Sequence, residues 1–139
     1  MPRPSHLLFV EDEAYRNEKM VRFLQAKGLQ VTTADSLAEA VTAAGETQYG
    51  CVLLDVMLPP GDETNNETDA LTAGVEFLRR LRSGSIPGAD ASTPVVVLTG
   101  RPEAAVEDEM RSLGLHAFLN KPESMQVILK TIQSAIDHD

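Results

Sequence analysis

The chain is poor in the residues that stabilise small secreted domains. Its single cysteine, Cys51, excludes an internal disulfide bond, and the surrounding apolar run "CVLL" favours a buried side chain over a reactive thiol. No apolar stretch is long enough to cross a bilayer, and the N-terminal apolar run is too short for a signal peptide. We therefore expect a cytoplasmic protein that does not contact a membrane.

Basic residues are also scarce, since 12 Lys and Arg residues stand against 21 Asp and Glu residues for a net charge of −9. This balance argues against nucleic acid as a direct ligand, because phosphate backbones are bound by basic surfaces. The three histidines are too dispersed for a zinc site. A length of 139 residues leaves room for one domain of ordinary size, so we predict a single domain over 1–139.

Short apolar segments alternate with helical periodicity along the whole chain. Strands are predicted at 6–10, 30–34, 51–55, 94–99 and 116–120. Ser36 and Glu39 form a capping box before the second helix, and Pro102 suits the first position of the fourth. The last helix should bury an apolar face formed by Met125, Ile128, Leu129, Ile132 and Ile136. Five strand–helix pairs predict an α/β fold, with a doubly wound five-stranded parallel sheet covered by five helices.

Polar side chains follow four of these strands. Glu11 and Asp12 end the first strand, Asp55 ends the third, Thr99 ends the fourth, and Lys121 follows the fifth. Ligands of such sheets bind at the carboxyl ends of the strands. Two carboxylates about 4 Å apart repel each other by roughly 4 kcal/mol at an effective dielectric near 20, so a cluster of three should recruit a cation.

Carboxylate oxygens suit Mg²⁺, which leaves coordination positions for water or a phosphoryl oxygen. A carboxylate can attack phosphorus to form an acyl phosphate, while an ammonium and a hydroxyl group bind the other phosphoryl oxygens. Asp55 is the favoured nucleophile because it ends a fully apolar strand and no helix-capping pattern follows it. The residues therefore indicate magnesium-assisted phosphoryl transfer to a carboxylate.

Four segments, "LLFVEDE", "CVLLDVMLP", "VVVLTG" and "HAFLNKP", resemble in order the four motifs of the receiver domains of two-component signalling. The resemblance covers essentially the whole chain. It implies a flavodoxin-like strand order of 2-1-3-4-5, in which the first and third strands are neighbours.

The resemblance also implies a role for each residue of the site. Asp55 would be the phosphoacceptor and a metal ligand, with Asp12 binding Mg²⁺ directly and Glu11 binding it directly or through water. The backbone carbonyl of Met57 would complete the protein ligands. Lys121 would bind the phosphoryl group and precede a cis peptide bond to Pro122.

Two further residues would form the switch. Thr99 would move toward the phosphoryl group, and Phe118 would swing inward with it, although Phe118 also fits an ordinary packing residue of the fifth strand. Phosphorylation would then remodel a face drawn from residues 102–137.

The function implied is that of a stand-alone response regulator with no effector domain. It would take its phosphoryl group from a sensor histidine kinase or a histidine phosphotransfer protein and signal by docking to an output protein. It would not be an enzyme, except that it assists its own phosphorylation and dephosphorylation. The resemblance also allows a homodimer.

The chain departs from the family pattern in an extended acidic loop at 60–73, which carries four acids and no base. A longer surface loop costs little stability, so a tolerated insertion is one interpretation. The other is that the loop contacts the kinase or shields the acyl phosphate from water.

Three alternatives stay open. A magnesium-dependent phosphatase with an aspartate nucleophile uses similar residues, but places a second aspartate two residues after the first, where this chain has Met57. A receiver-like adaptor would work without phosphorylation. A flavodoxin-like cofactor domain would need a phosphate-binding loop after the first strand, which is missing here.

Overall fold

The computed structural model describes residues 3–12, 17–56, 73–100 and 103–137. Its strands are β1 (His6–Val10), β2 (Gln30–Ala34), β3 (Cys51–Leu54), β4 (Val95–Thr99) and β5 (Ala117–Asn120). Its helices are α1 (Glu18–Ala26), α2 (Leu37–Glu46), α3 (Ala73–Arg82), α4 (Ala104–Leu113) and α5 (Met125–Asp137). All strand pairs are parallel, in the order β2-β1-β3-β4-β5, so the predicted doubly wound sheet and its strand order are confirmed.

The sheet separates two apolar cores because successive side chains of a strand point to opposite faces. Leu8 and Val10 of β1 pack with α2, α3 and Met110 of α4. Leu7 and Phe9 pack with α1 and α5 on the other face. Each such side chain contributes about 1.5–3 kcal/mol when fully buried, and β3 and β4 are buried along their whole length.

Local signals in the sequence account for several details. The predicted cap of α2 is present, since the Ser36 hydroxyl oxygen accepts a hydrogen bond from the Glu39 backbone N–H at 3.1 Å. Cys51 is buried as predicted, and this burial raises the pKa of its thiol to about 12. No helix in the described part of the chain is both long and apolar enough to cross a membrane.

Two predictions about the helices were wrong. Helix α4 begins at Ala104 rather than at Pro102, because Glu103 has an extended backbone (φ −126°, ψ 129°) and is the N-cap. Met125 was placed on the buried face of α5 but is 39% exposed, since it is the first residue of the helix and lines an open groove. Of the acidic loop predicted at 60–73, only Ala73 falls within the described residues.

Candidate functional site

The pairing of β1 with β3 brings the predicted acids together. Val10 pairs with Leu54, so Glu11 and Asp55 leave the sheet at the same level. The Asp55 backbone N–H donates to the Val10 carbonyl oxygen at 2.9 Å, which fixes the backbone of Asp55 beside β1. One carboxylate oxygen each from Glu11, Asp12 and Asp55 lies within 4.8 Å of the others. The structure therefore gathers the three acids into one cluster.

Lys121 reaches the same cluster from the turn after β5. Its Nζ donates to Glu11 Oε2 at 2.8 Å and to Asp55 Oδ2 at 3.3 Å. Its backbone N–H donates to the Thr99 carbonyl oxygen at 2.7 Å, which ties the turn to the end of β4. The peptide bond to Pro122 is cis, as the resemblance implied.

The electrostatics of the cluster are unbalanced. Burial raises the pKa of Glu11 from 4.5 to about 7; a hydrogen bond with Asp55 acts in the same direction, and Lys121 acts against both. Burial lowers the pKa of Lys121, but its contacts with Glu11 and Asp55 outweigh burial and leave that pKa raised. Three carboxylates share one ammonium group, so a surplus of negative charge remains.

This donor set fits a magnesium ion. The three acids offer hard oxygen ligands around one point, and their surplus charge is what a divalent cation would neutralise. Asp12 is exposed whereas Glu11 and Asp55 are buried, so the cluster opens to solvent on one side. Such an opening suits a metal that retains several water ligands. Met57, the expected carbonyl ligand, lies outside the described residues.

The two predicted switch residues lie at different depths. Thr99 is fully buried at the end of β4, where it pairs with Asn120 of β5. Phe118 lies beside Val97, is half-buried, and packs against the core formed with α2, α3 and α4. Both therefore lie on the two strands beyond β3, on the side away from β1, and their switch roles stay predictions.

One residue of the site was missed from the sequence. Gly74, in the first turn of α3, packs directly on the backbone that carries Asp55. A Cβ atom at this position would lie 2.8 Å from the carbonyl oxygens of Asp55 and Val56 and 2.9 Å from the Val56 Cα. Nothing in the sequence singles out Gly74, because no local pattern shows that a helix and a strand end approach this closely.

Comparisons with known proteins agree with this geometry. The model of the response regulator receiver domain family matches residues 7–133. The chain is 35% identical over 135 residues to the transcriptional regulatory protein YkoG of Bacillus subtilis, covering 94% of this chain and 50% of that protein. It is 30% identical over 136 residues to the probable transcriptional regulatory protein TcrX of Mycobacterium tuberculosis, covering 96% and 50%. The chain thus spans about half the length of these curated relatives.

Solved structures with the same fold include the chemotaxis protein CheY4 of Vibrio cholerae. Its TM-score is 0.75 at 25% identity, with 95% of this chain and 98% of that chain covered. A CheY-like receiver domain protein from Methanospirillum hungatei has a TM-score of 0.76 at 20% identity, with 96% and 94% covered. The family match spans nearly the whole chain and includes every described residue of the acidic cluster, and the chain therefore belongs to the response regulator receiver domain family.

Proposed function

We propose that the chain is a response regulator that accepts a phosphoryl group on Asp55. The observation that carries this function is the cluster at the end of β3. There the buried Asp55 carboxylate lies beside Glu11 and Asp12 and 3.3 Å from the Lys121 ammonium. An isolated buried aspartate would lack both the cation and the metal ligands that phosphoryl transfer needs.

In the proposed reaction, an Asp55 carboxylate oxygen forms a bond to phosphorus and the bond from phosphorus to the donor atom breaks. With a histidine kinase or a histidine phosphotransfer protein as donor, the leaving group is an imidazole nitrogen. Lys121 would exchange its contact with Asp55 for a phosphoryl oxygen, and the Thr99 hydroxyl would donate to a second one. Catalysis of this step is mainly positioning and charge stabilisation.

Glu11, Asp12 and Asp55 are the described residues that would hold Mg²⁺, and the Met57 carbonyl would join them. The ion would supply positive charge against the phosphoryl oxygens. The contribution of the chain is the cluster itself, which β1 and β3 position by backbone pairing. No turnover of small phosphate esters is expected, because the acyl phosphate itself is the signal.

The proposed output is protein docking. Movement of Thr99 and Phe118 would alter the face formed by α4, β5 and α5, which an output protein would bind. This is also the face through which a homodimer would form. Because the transcriptional relatives are about twice as long as this chain, their activities as whole proteins are not carried over.

Acetyl phosphate tests this function without a kinase. Wild type should gain the mass of one phosphoryl group in the presence of Mg²⁺ and none in EDTA, as read by intact mass spectrometry. Asp55→Asn should gain none under either condition. Labelling of Asp55→Asn, or metal-independent labelling of wild type, would contradict the proposed chemistry.

A further inference from the structure

Arg82, the half-buried last residue of α3, binds main-chain carbonyl oxygens of other segments. Its Nη1 donates to the carbonyl oxygens of Ala91 and Thr93 at 2.8 and 2.7 Å. Its Nε and Nη2 both donate to the carbonyl oxygen of Gly114, at 3.2 and 3.0 Å. Hydrogen bonds from a charged donor are stronger than neutral ones, and the guanidinium group presents its donors in a rigid plane. One side chain therefore fixes the relative positions of segments that are distant in the chain.

Two of these carbonyl groups belong to the two ends of one β4–α4 unit (93–114). Thr93 lies just before β4, and Gly114 directly follows α4. Between them the chain runs along β4 to Thr99 and returns through α4. The Arg82 guanidinium group thus joins both ends of the β4–α4 unit at the edge of the sheet opposite the acids.

Gly114 has the backbone that this contact requires. Its φ of +110° is in the region that favours glycine, and its backbone N–H donates to the carbonyl oxygens of Met110 and Arg111 at 3.1 Å. A Cβ atom at this position would lie 3.2 Å from the Arg82 Nε. Gly114 therefore both ends α4 and allows the guanidinium group to approach its carbonyl oxygen.

The other end of α4 is held by fewer contacts. The N-cap residue Glu103 makes no side-chain capping hydrogen bond among the described residues, and residues 103–105 are exposed. Met110, the buried residue of α4, lies in the second half of the helix. The ion pair between Arg79 of α3 and Glu109, at 3.0 Å, is also in that half. The C-terminal end of α4 is therefore fixed to α3 more firmly than the N-terminal end.

We propose that Arg82 is the anchor about which α4 tilts when Asp55 is phosphorylated. A change at Thr99 reaches α4 through the chain that leads from β4 to the start of the helix, while the Arg82 bonds keep Gly114 in place. The helix then tilts about its C-terminal end instead of moving as a whole. Arg82 is a positioning residue, since it does not touch the acids. The tilt rests on the proposed function, because phosphorylation supplies the movement.

Distances between pairs of nitroxide spin labels measure the tilt. Ala105→Cys and Ser112→Cys place labels at exposed positions about two turns apart, on the same face of α4. Each is combined with Thr42→Cys, an exposed reference position on α2. Cys51 is fully buried and stays unlabelled. Position 105 lies about 14 Å from Gly114 along the helix and position 112 about 3 Å, so a tilt should move position 105 about four times as far.

The phosphorylated protein tests the anchor directly. Samples are treated with acetyl phosphate and Mg²⁺, labelling is measured by intact mass spectrometry, and distances are then measured by pulsed electron paramagnetic resonance. Arg82→Met keeps an unbranched stem but removes the donors, so position 112 should also move and the ratio of the two movements should fall below about two. Arg80→Met is the matched control. It removes another half-buried arginine of α3, paired with Glu76 at 2.8 Å, and should keep the wild-type ratio.

The unphosphorylated protein gives a second readout. There the distribution of distances to position 112 should be broader in Arg82→Met than in wild type, and unchanged in Arg80→Met. If thermal unfolding shows that Arg82→Met does not fold, Arg82→Lys replaces it. This variant keeps the charge but loses the planar set of donors, so it should show the same changes in smaller size.

The two readouts separate the anchor from the phosphorylation chemistry. A phosphorylated wild type in which position 105 moves no further than position 112 would overturn the proposed tilt. Distance distributions that the Arg82 variants leave unchanged would overturn the anchoring role. Failure of acetyl phosphate to label wild type would instead overturn the proposed function, and the unphosphorylated samples would still decide whether Arg82 anchors α4.

Discussion

Replacing Gly74 with alanine should damage the site through the backbone. The added Cβ would lie 2.8 Å from the carbonyl oxygens of Asp55 and Val56, which is closer than carbon and oxygen pack in proteins. These are backbone atoms at the end of a buried strand, so they cannot move aside as a flexible side chain would. Overpacking of this kind costs about 1–3 kcal/mol, while alanine in a helix recovers about 1 kcal/mol relative to glycine.

We therefore expect Gly74→Ala to lower the free energy of unfolding by up to about 2 kcal/mol and to displace Asp55. Misplacement of a reacting group by about 1 Å can cost 100-fold in rate, so a smaller shift should slow acetyl phosphate labelling roughly tenfold. Urea unfolding measures the first effect. Intact mass spectrometry over time, at a temperature where the variant stays folded, measures the second.

Gly45→Ala is the matched control for this experiment. Gly45 lies in the last turn of α2, which leads to the start of β3, at the opposite edge of the sheet from the acids; a Cβ there would meet the Pro87 carbonyl oxygen at 2.4 Å. It should destabilise the fold by a comparable amount but leave labelling per folded molecule unchanged. If both variants label at the wild-type rate, Gly74 does not position Asp55. If both slow equally, the effect is one of stability.

Three further predictions concern the site and its surroundings. In EDTA, the free energy of unfolding should fall as the pH rises from about 4.5 to 7. In this range Glu11 of the folded chain (pKa about 7) still holds a proton that Glu11 of the unfolded chain has released. Urea titrations at several pH values measure this slope, and Glu11→Gln should flatten it. Lys121→Gln should destabilise the metal-free protein by about 1–2 kcal/mol, because Glu11 and Asp55 lose their ammonium partner; this figure allows for the partial exposure of Lys121. Mg²⁺ should restore part of the lost stability, as measured by thermal unfolding. Ser36→Ala should cost about 1 kcal/mol through loss of the α2 cap, as measured by urea unfolding, with unchanged labelling by acetyl phosphate.

The fold followed from the sequence where one physical signal dominated. The apolar runs around Leu53 and Val96 could only be buried strands, and regular alternation with helices required a parallel sheet. The gathering of the acids at one site also followed from the sequence, because the carboxyl ends of parallel strands lie at the same edge of a sheet. Adjacency of β1 and β3, however, came from the family resemblance, since no local pattern specifies strand order.

The wrong and missed predictions concern positions whose structure depends on contacts between distant parts of the chain. Met125 fits the apolar spacing of α5, but it is the first residue of that helix, and the buried residues of α5 begin at Ile128. Pro102 is a good helix start by local preference, yet the extended backbone of Glu103 delays α4 by two residues. The close contact of Gly74 with Asp55 joins residues far apart in the chain, so it is visible only in three dimensions.

The most direct test locates the phosphoryl group on the chain. Wild type is labelled with acetyl phosphate and Mg²⁺, and the acyl phosphate is reduced with borohydride, which converts a phosphorylated aspartate into homoserine. Peptide sequencing by tandem mass spectrometry should find homoserine at position 55 and aspartate at position 12. Homoserine at position 12, or none anywhere in a labelled sample, would contradict the assignment of Asp55 as the phosphoacceptor.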